Sequence, residues 1–211
     1  MKMADAVSRR SILCIEKDVA ARAVLSHALR EYEVVFTSDA FETIRSMNGR
    51  AFDAYIIDFW LPDWSGPQLC RAIRDTDPHC PVIFCTAAEA DLSRQRAMRA
   101  GASVYLCKPV NAELLQSKLS ALVARVDSMS LRAKAHMEDA VAAELTRWGP
   151  RLSADSRSNE VTAQALQRTA RARAQKAFIA AGGTRAHFER WWPHVFGSAR
   201  ANNGIRVSAE A

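Results

Sequence analysis

No stretch of this chain approaches the roughly 18 consecutive apolar residues of a membrane-spanning helix, so neither a span nor a membrane partner is expected. The N-terminal Met-Lys-Met-Ala-Asp leads into Ser-Arg-Arg without the apolar centre of a secretory signal, which predicts a cytoplasmic location. Cysteine is sparse. Cys14, Cys70, Cys80, Cys85 and Cys107 form no C-x-x-C pair, and the histidines show no metal spacing. This argues against a zinc or redox centre and predicts packed, reduced thiols. The C-terminal half lacks a convergent set of acid, base and nucleophile, so no enzymatic turnover is expected of it.

The chain has 211 residues, 49% hydrophobic and 25% charged, enough for one ordinary domain and an extension. Its net charge of +6 is one-sided: residues 1–111 carry 14 basic and 14 acidic side chains, residues 112–211 carry 15 and 9. The basic surplus is therefore C-terminal, where it makes nucleic acid a candidate partner.

Short apolar runs alternate with helical patterns in the first half. Ser11–Glu16, Glu33–Thr37, Ala54–Asp58, Pro81–Thr86 and Ser103–Cys107 read as strands. Val19–Arg30, Ala40–Met47 (capped by Ser38 or Asp39), Gly66–Arg74, Asp91–Ala100 (ended by Gly101) and a segment from Asn111 read as helices. Such alternation predicts an α/β fold with a doubly wound, five-stranded parallel sheet. In that fold the site lies beyond the carboxyl ends of the strands. The rule gathers Glu16, Lys17, Asp18, Asp58, Thr86 and Lys108 on one edge. A carboxylate there can attack a phosphoryl group to give an acyl phosphate. A divalent cation such as Mg²⁺ is needed to offset the charge, while a lysine and a hydroxyl can hold the phosphoryl oxygens.

The second half reads as all helix. Leu115, Leu119, Leu122, Val126 and Met129 form a short heptad seam, with intramolecular packing as its default and homodimerisation as its alternative. A second stripe, Met137, Val141, Leu145 and Trp148, is out of phase, which suggests a break at Asp127-Ser128; Gly149-Pro150 should end the helix. Residues 151–160 read as a linker and 161–196 as a small helical region with a Gly182-Gly183 turn. Residues 197–211 read as a disordered tail. Arg168, Arg171, Arg173 and Lys176 spread around their helix as a solvated face would.

Four segments resemble response-regulator receiver domains: Ile12-Leu-Cys-Ile-Glu-Lys-Asp18; Ile56-Ile-Asp58 with Leu61-Pro-Asp-Trp-Ser-Gly66; Val82-Ile-Phe-Cys-Thr86; and Gly101-Ala-Ser-Val-Tyr105-Leu-Cys-Lys108-Pro109. The resemblance implies a flavodoxin-like receiver over residues 9–126, followed by a helical connector over 127–150. It implies that Asp58 accepts phosphate from a histidine kinase or phosphotransfer protein. Thr86 would be the switch hydroxyl, Lys108 the phosphate-pairing lysine, Tyr105 the aromatic switch, and Lys108-Pro109 a cis bond. Glu16, Asp58 and the Trp60 carbonyl would hold Mg²⁺, with Asp18 as a further candidate. One residue departs: the second of the two acidic positions after the first strand is Lys17. Either Mg²⁺ is still held, or the Lys17 ammonium replaces it beside Asp58 and makes the switch independent of phosphorylation, or Lys17 points to solvent. Two outputs are open for the helical tail: protein–protein contacts through Trp191 and Trp192, or DNA binding by a segment that loosely resembles a helix-turn-helix.

Overall fold

Burial follows strand order. In the computed structural model, which describes residues 9–88, 90–152 and 159–202, five parallel strands pair in the order β2-β1-β3-β4-β5. They are β1 (Ser11–Ile15), β2 (Glu33–Thr37), β3 (Ala54–Ile57), β4 (Val82–Thr86) and β5 (Val104–Cys107). The three central strands are buried along their whole length, whereas edge strands β2 and β5 are partly exposed. Continuous apolar runs are what a parallel sheet covered on both faces requires.

The helices alternate with them: α1 (Val19–Ala28), α2 (Ala40–Gly49), α3 (Gly66–Thr76), α4 (Asp91–Arg99) and α5 (Ala112–Leu152). Strand periodicity of two divides the core. Leu13, Ile15, Ile57 and Phe84 pack with α2, α3 and α4 residues such as Leu69, Ile73 and Ala97. Ile12, Cys14, Ile56 and Cys85 pack with Leu25 and Leu29 on one side and Leu115 and Leu119 on the other. The start of the heptad seam is thus consumed inside the chain.

Polar side chains set the helix starts. Asp18 accepts from the Ala21 amide at 2.7 Å, Asp39 from Glu42 at 2.8 Å and Asn111 from Leu114 at 2.8 Å. Of the two candidates, Asp39 is the α2 cap, and Ser38 donates instead to Glu42. Gly101, at φ +100°, takes the left-handed position after α4. Four cysteines are buried as expected, but Cys107, at the end of an edge strand, is exposed.

Residues Met1–Arg125 and Val126–Ala211 form two units. In the second, α5 runs through Asp127-Ser128 and past Gly149-Pro150, so neither expected break is found. The two stripes, out of phase as heptads, belong to one helix. Val126, Met137 and Trp148 are spaced by eleven, which matches a straight helix better than a heptad, whose apolar face drifts by about 20° per repeat. Of the expected 151–160 linker, residues 151–152 close α5, 159–160 open α6 (Asn159–Ala180), and 153–158 lie outside the described residues. Helix α7 (Arg185–Asn202) continues beyond residue 196, so residues 197–202 of the expected tail are helical, and 203–211 lie outside the described residues.

The reason is packing. Leu166, Ala170, Ala174 and Phe178, every fourth residue of α6, meet Phe188, Trp192, Val195 and Phe196 of α7. Trp192 stacks on Phe188 and Phe196 at 5.6 and 4.8 Å and is 4% exposed. It is core, which removes it from the expected docking pair; Trp191 is half-buried. In the α6–α7 turn, a Cβ on Gly183 would lie 2.2 Å from the Phe178 ring, so the larger apolar residue of a helix-turn-helix cannot stand there. Among the described residues no helix is long and apolar enough to cross a membrane.

Candidate functional site

The carboxyl ends of β1, β3, β4 and β5 bring together Glu16, Asp58, Thr86 and Lys108. At the centre is the Lys108 ammonium. It donates to Glu16 Oε2 at 2.5 Å and to Asp58 Oδ2 at 3.0 Å, across 92 and 50 residues of sequence. Glu16 is only 2% exposed, and its other oxygen accepts from the Asp18 amide at 2.9 Å. Asp58 is more open, with 12% of its side chain accessible, and its Oδ1 accepts from the Phe59 amide at 2.6 Å. Its backbone is held by the Ile15 carbonyl, which accepts from the Asp58 amide at 3.1 Å.

Thr86 is fully buried, and its hydroxyl accepts from the Ala88 amide at 3.2 Å. Tyr105 stacks on Phe84 at 6.1 Å, and its hydroxyl donates to the Ala88 carbonyl. Thr86 and Tyr105 therefore grip the two backbone groups of one residue. No side-chain signal in the sequence points to Ala88, because both contacts use its peptide groups. The Lys108-Pro109 bond is cis.

Lys17 does not enter the site. It is exposed and makes no ion pair with Asp58 among the described residues. Of the three readings for Lys17, exposure fits the one that points it to solvent; the ammonium beside Asp58 is that of Lys108, brought there across β4 from the end of β5, while Lys17 lies in the turn leading to α1. Asp18 is also exposed and is engaged as the α1 cap. Trp60 is 59% exposed and forms an antiparallel backbone bridge with Ser65 that closes the loop after Asp58.

Charge at this edge is partly compensated. Burial pulls the Lys108 pKa down, but its hydrogen bonds to Glu16 and Asp58, together with the negative charge of those carboxylates, outweigh it and hold the ammonium above its ordinary value. A lysine raised on folding contributes stability that is complete below the unfolded value near 10.4 and is lost as pH rises through the higher folded one. Stability of the wild type relative to Lys108→Met, measured by urea midpoints, should be constant around neutrality and shrink above roughly pH 10.4. A constant difference across that range would contradict the pairing. Burial pushes the Cys85 thiol up to about 12 and Cys70 to about 11, so these sulfurs are not nucleophiles.

The donor set at this edge suits Mg²⁺ through two side chains. Among the described residues no group of three His, Cys, Asp or Glu side chains is assembled. Yet the Glu16 and Asp58 carboxylates already converge on one positive centre. Mg²⁺ is commonly held by one or two carboxylates with water completing the shell, and the pair fits that pattern.

A family model described as "Response regulator receiver domain" matches residues 12–120. Response regulator MprA of Mycobacterium bovis is 30% identical over 150 residues, covering 67% of this chain and 65% of the relative. Transcriptional regulatory protein TrcR of Mycobacterium tuberculosis is 29% identical over 153 residues, covering 72% and 56%. The chain thus spans less than two thirds of the length of these relatives. Among solved structures, the receiver domain of sensor histidine kinase PA1611 from Pseudomonas aeruginosa, with magnesium in its active-site cleft, matches at TM-score 0.51 and 28% identity, over 55% of this chain and 98% of that one. A putative response regulator from Chloroflexus aurantiacus matches at TM-score 0.53 and 26% identity, over 55% and 98%.

Proposed function

This chain belongs to the response-regulator receiver family, and from that premise we propose that Asp58 is its phosphoacceptor. The observation that carries the reading is the convergence of Asp58 and Glu16 on the Lys108 ammonium, with the Thr86 hydroxyl on the adjoining strand end. A phosphohistidine of a kinase or phosphotransfer protein is the donor. The Asp58 oxygen attacks phosphorus, the P–N bond breaks, and the imidazole leaves with its electron pair. Lys108 exchanges a carboxylate for a phosphoryl oxygen. Glu16, Asp58 and the Trp60 carbonyl would hold Mg²⁺, which supplies neutralising charge. No external substrate is turned over.

An apolar recess of about 140 Å³ beside Lys108, lined by Val24, Leu25, Pro109 and Val110, with Val19 79% exposed nearby in sequence, supports docking of the donor at this edge. The readout starts at Ala88: a Thr86 hydroxyl that turns to the phosphoryl group lets go of the Ala88 amide, while Tyr105 holds the carbonyl of the same residue.

In this reading the metal requirement reflects the carboxylate that Lys17 does not supply at the second position after β1. Lys17→Asp should lower the Mg²⁺ concentration for half-maximal labelling by a small-molecule phosphodonor roughly tenfold, the scale on which groups near a metal act. Intact-mass measurement across a Mg²⁺ titration checks this, and an unchanged midpoint would show that Lys17 does not limit metal binding.

For output we favour protein–protein contacts of the helical region, in which a second copy is one candidate partner. Pairing supports this: Arg173 and Arg147 pair with buried Glu144, and Arg171 pairs with Glu189, so these three arginines are engaged within the chain. DNA binding is the second reading, favoured by exposed Arg168, Lys176 and Arg190 and by the name of the TrcR relative. Binding of the full chain to duplex DNA, titrated with salt, separates them. An affinity that falls by orders of magnitude between low and physiological salt, with sequence discrimination, favours DNA; no binding at low salt removes it.

A further inference from the structure

We propose that a second site, a cleft of about 300 Å³ beside the Asp58 loop lined by Phe59, Trp60, Ser65, Arg71, Arg96 and Arg99, binds a nucleoside phosphate. Two helices supply the charge. Arg71 comes from α3, and Arg96 and Arg99 from α4, three residues apart and so on one side of that helix. All three are exposed, and none has a carboxylate partner among the described residues. Arg74, on the same α3, shows what a structural arginine does here: its guanidinium donates to the carbonyls of Gly101 and Cys80. The other three line the cleft as a cationic group with no carboxylate paired to it among the described residues, a charge that a polyanion would relieve.

Three guanidiniums offer forked donors matched to phosphate oxygens. The remaining walls are aromatic. Phe59 is 2% exposed at the floor, whereas Trp60 presents its indole with 59% exposure. The indole is positioned in advance by an edge contact to Phe59 at 5.0 Å and 70° and by the backbone bridge of Trp60 to Ser65. An exposed aromatic plane beside guanidiniums is a stacking platform for a base whose phosphates are held next to it. Size favours a small ligand: the volume sits at the lower end of the roughly 300–1,000 Å³ of ligand pockets, and a protein interface needs about 800 Å² from each partner. The proposal does not rest on phosphoryl transfer at Asp58, although the cleft borders the same loop.

The test is calorimetric titration of the full chain with ribonucleoside 5′-mono- and triphosphates, inorganic pyrophosphate and an oligoglutamate peptide. EDTA is included so that no metal bridges a ligand to Asp58. Nucleotides should bind, triphosphates more tightly than monophosphates. The double variant Arg96→Glu/Arg99→Glu should weaken nucleotide binding about 100-fold, since two attractive contacts become repulsive. Trp60→Ala should weaken nucleotides about tenfold while leaving pyrophosphate unchanged. Unchanged melting curves would show that these surface variants fold. No nucleotide binding at millimolar concentration, peptide or pyrophosphate binding as tight as any nucleotide, or no effect of the arginine or Trp60 variants would each overturn the proposal.

Discussion

Asp58→Asn should abolish the phosphate adduct that forms when the protein is incubated with a small phosphodonor and Mg²⁺, a loss of at least about 100-fold by intact mass, because an amide oxygen is not a competent nucleophile. The substitution keeps shape. The side-chain amide oxygen of the Asp58→Asn variant can still accept from Lys108 or from the Phe59 amide, the two contacts Asp58 makes now. Removing one of two carboxylates that share a single ammonium also relieves repulsion, so the variant should fold and its negative result can be interpreted. Glu16 is no substitute acceptor: it is buried and both its oxygens are engaged. An adduct that persists in Asp58→Asn would place the acceptor elsewhere and sink the proposed function.

Gly66→Ala should cost about 3 kcal/mol, at the upper end of what overpacking imposes, and lower Tm on the order of 10 °C. A Cβ there would lie 2.4 Å from the Asp58 carbonyl oxygen, 2.8 Å from the Phe84 ring and 3.0 Å from the Phe59 Cα. Two of these neighbours are backbone and cannot swing aside. The Gly66 amide also donates to the Phe59 carbonyl at 2.8 Å, which ties the first residue of α3 to the strand end that carries Asp58. The methyl group must therefore displace either α3 or the Asp58 peptide, and labelling should fall with stability. Gly49→Ala is the control. Nothing lies within 4 Å of its Cβ position at the end of α2, so it should be neutral or stabilise by up to about 1 kcal/mol. Equal melting curves for the two variants would refute the packing argument.

Legibility differed by region. In the first unit, strand alternation, capping residues and Gly101 located every element, because each signal is local: a period, a cap, a left-handed turn. Strand ends were overrun by one residue at Glu16 and Asp58, where the side chain belongs to the site and not to the ladder. In the second unit local signals misled. The heptad template split α5 at Asp127-Ser128, although the eleven-residue spacing Val126, Met137, Trp148 was present in the sequence. Helix α7 extends past the expected limit at residue 196, because Val195 and Phe196 are part of the core shared with α6.

Legible in the sequence alone were the resemblance to the receiver family, carried by the segments around Asp58, Thr86 and Lys108-Pro109, and, from the alternation of strands and helices, the parallel sheet and the edge on which Glu16, Asp58, Thr86 and Lys108 meet. Tertiary structure decided which charge occupies that edge. Lys17 and Lys108 are both lysines next to a strand end, and the resemblance leaves open whether Lys17 also reaches Asp58. Adjacency of β3 and β4, and of β4 and β5, sets Lys108 within 3.0 Å of Asp58, while the turn into α1 leaves Lys17 exposed. The same holds for the two tryptophans of α7 and the three arginines around Trp60. Which side chains are core and which are free depends on the neighbours that distant segments supply, and burial is a property of the assembled chain.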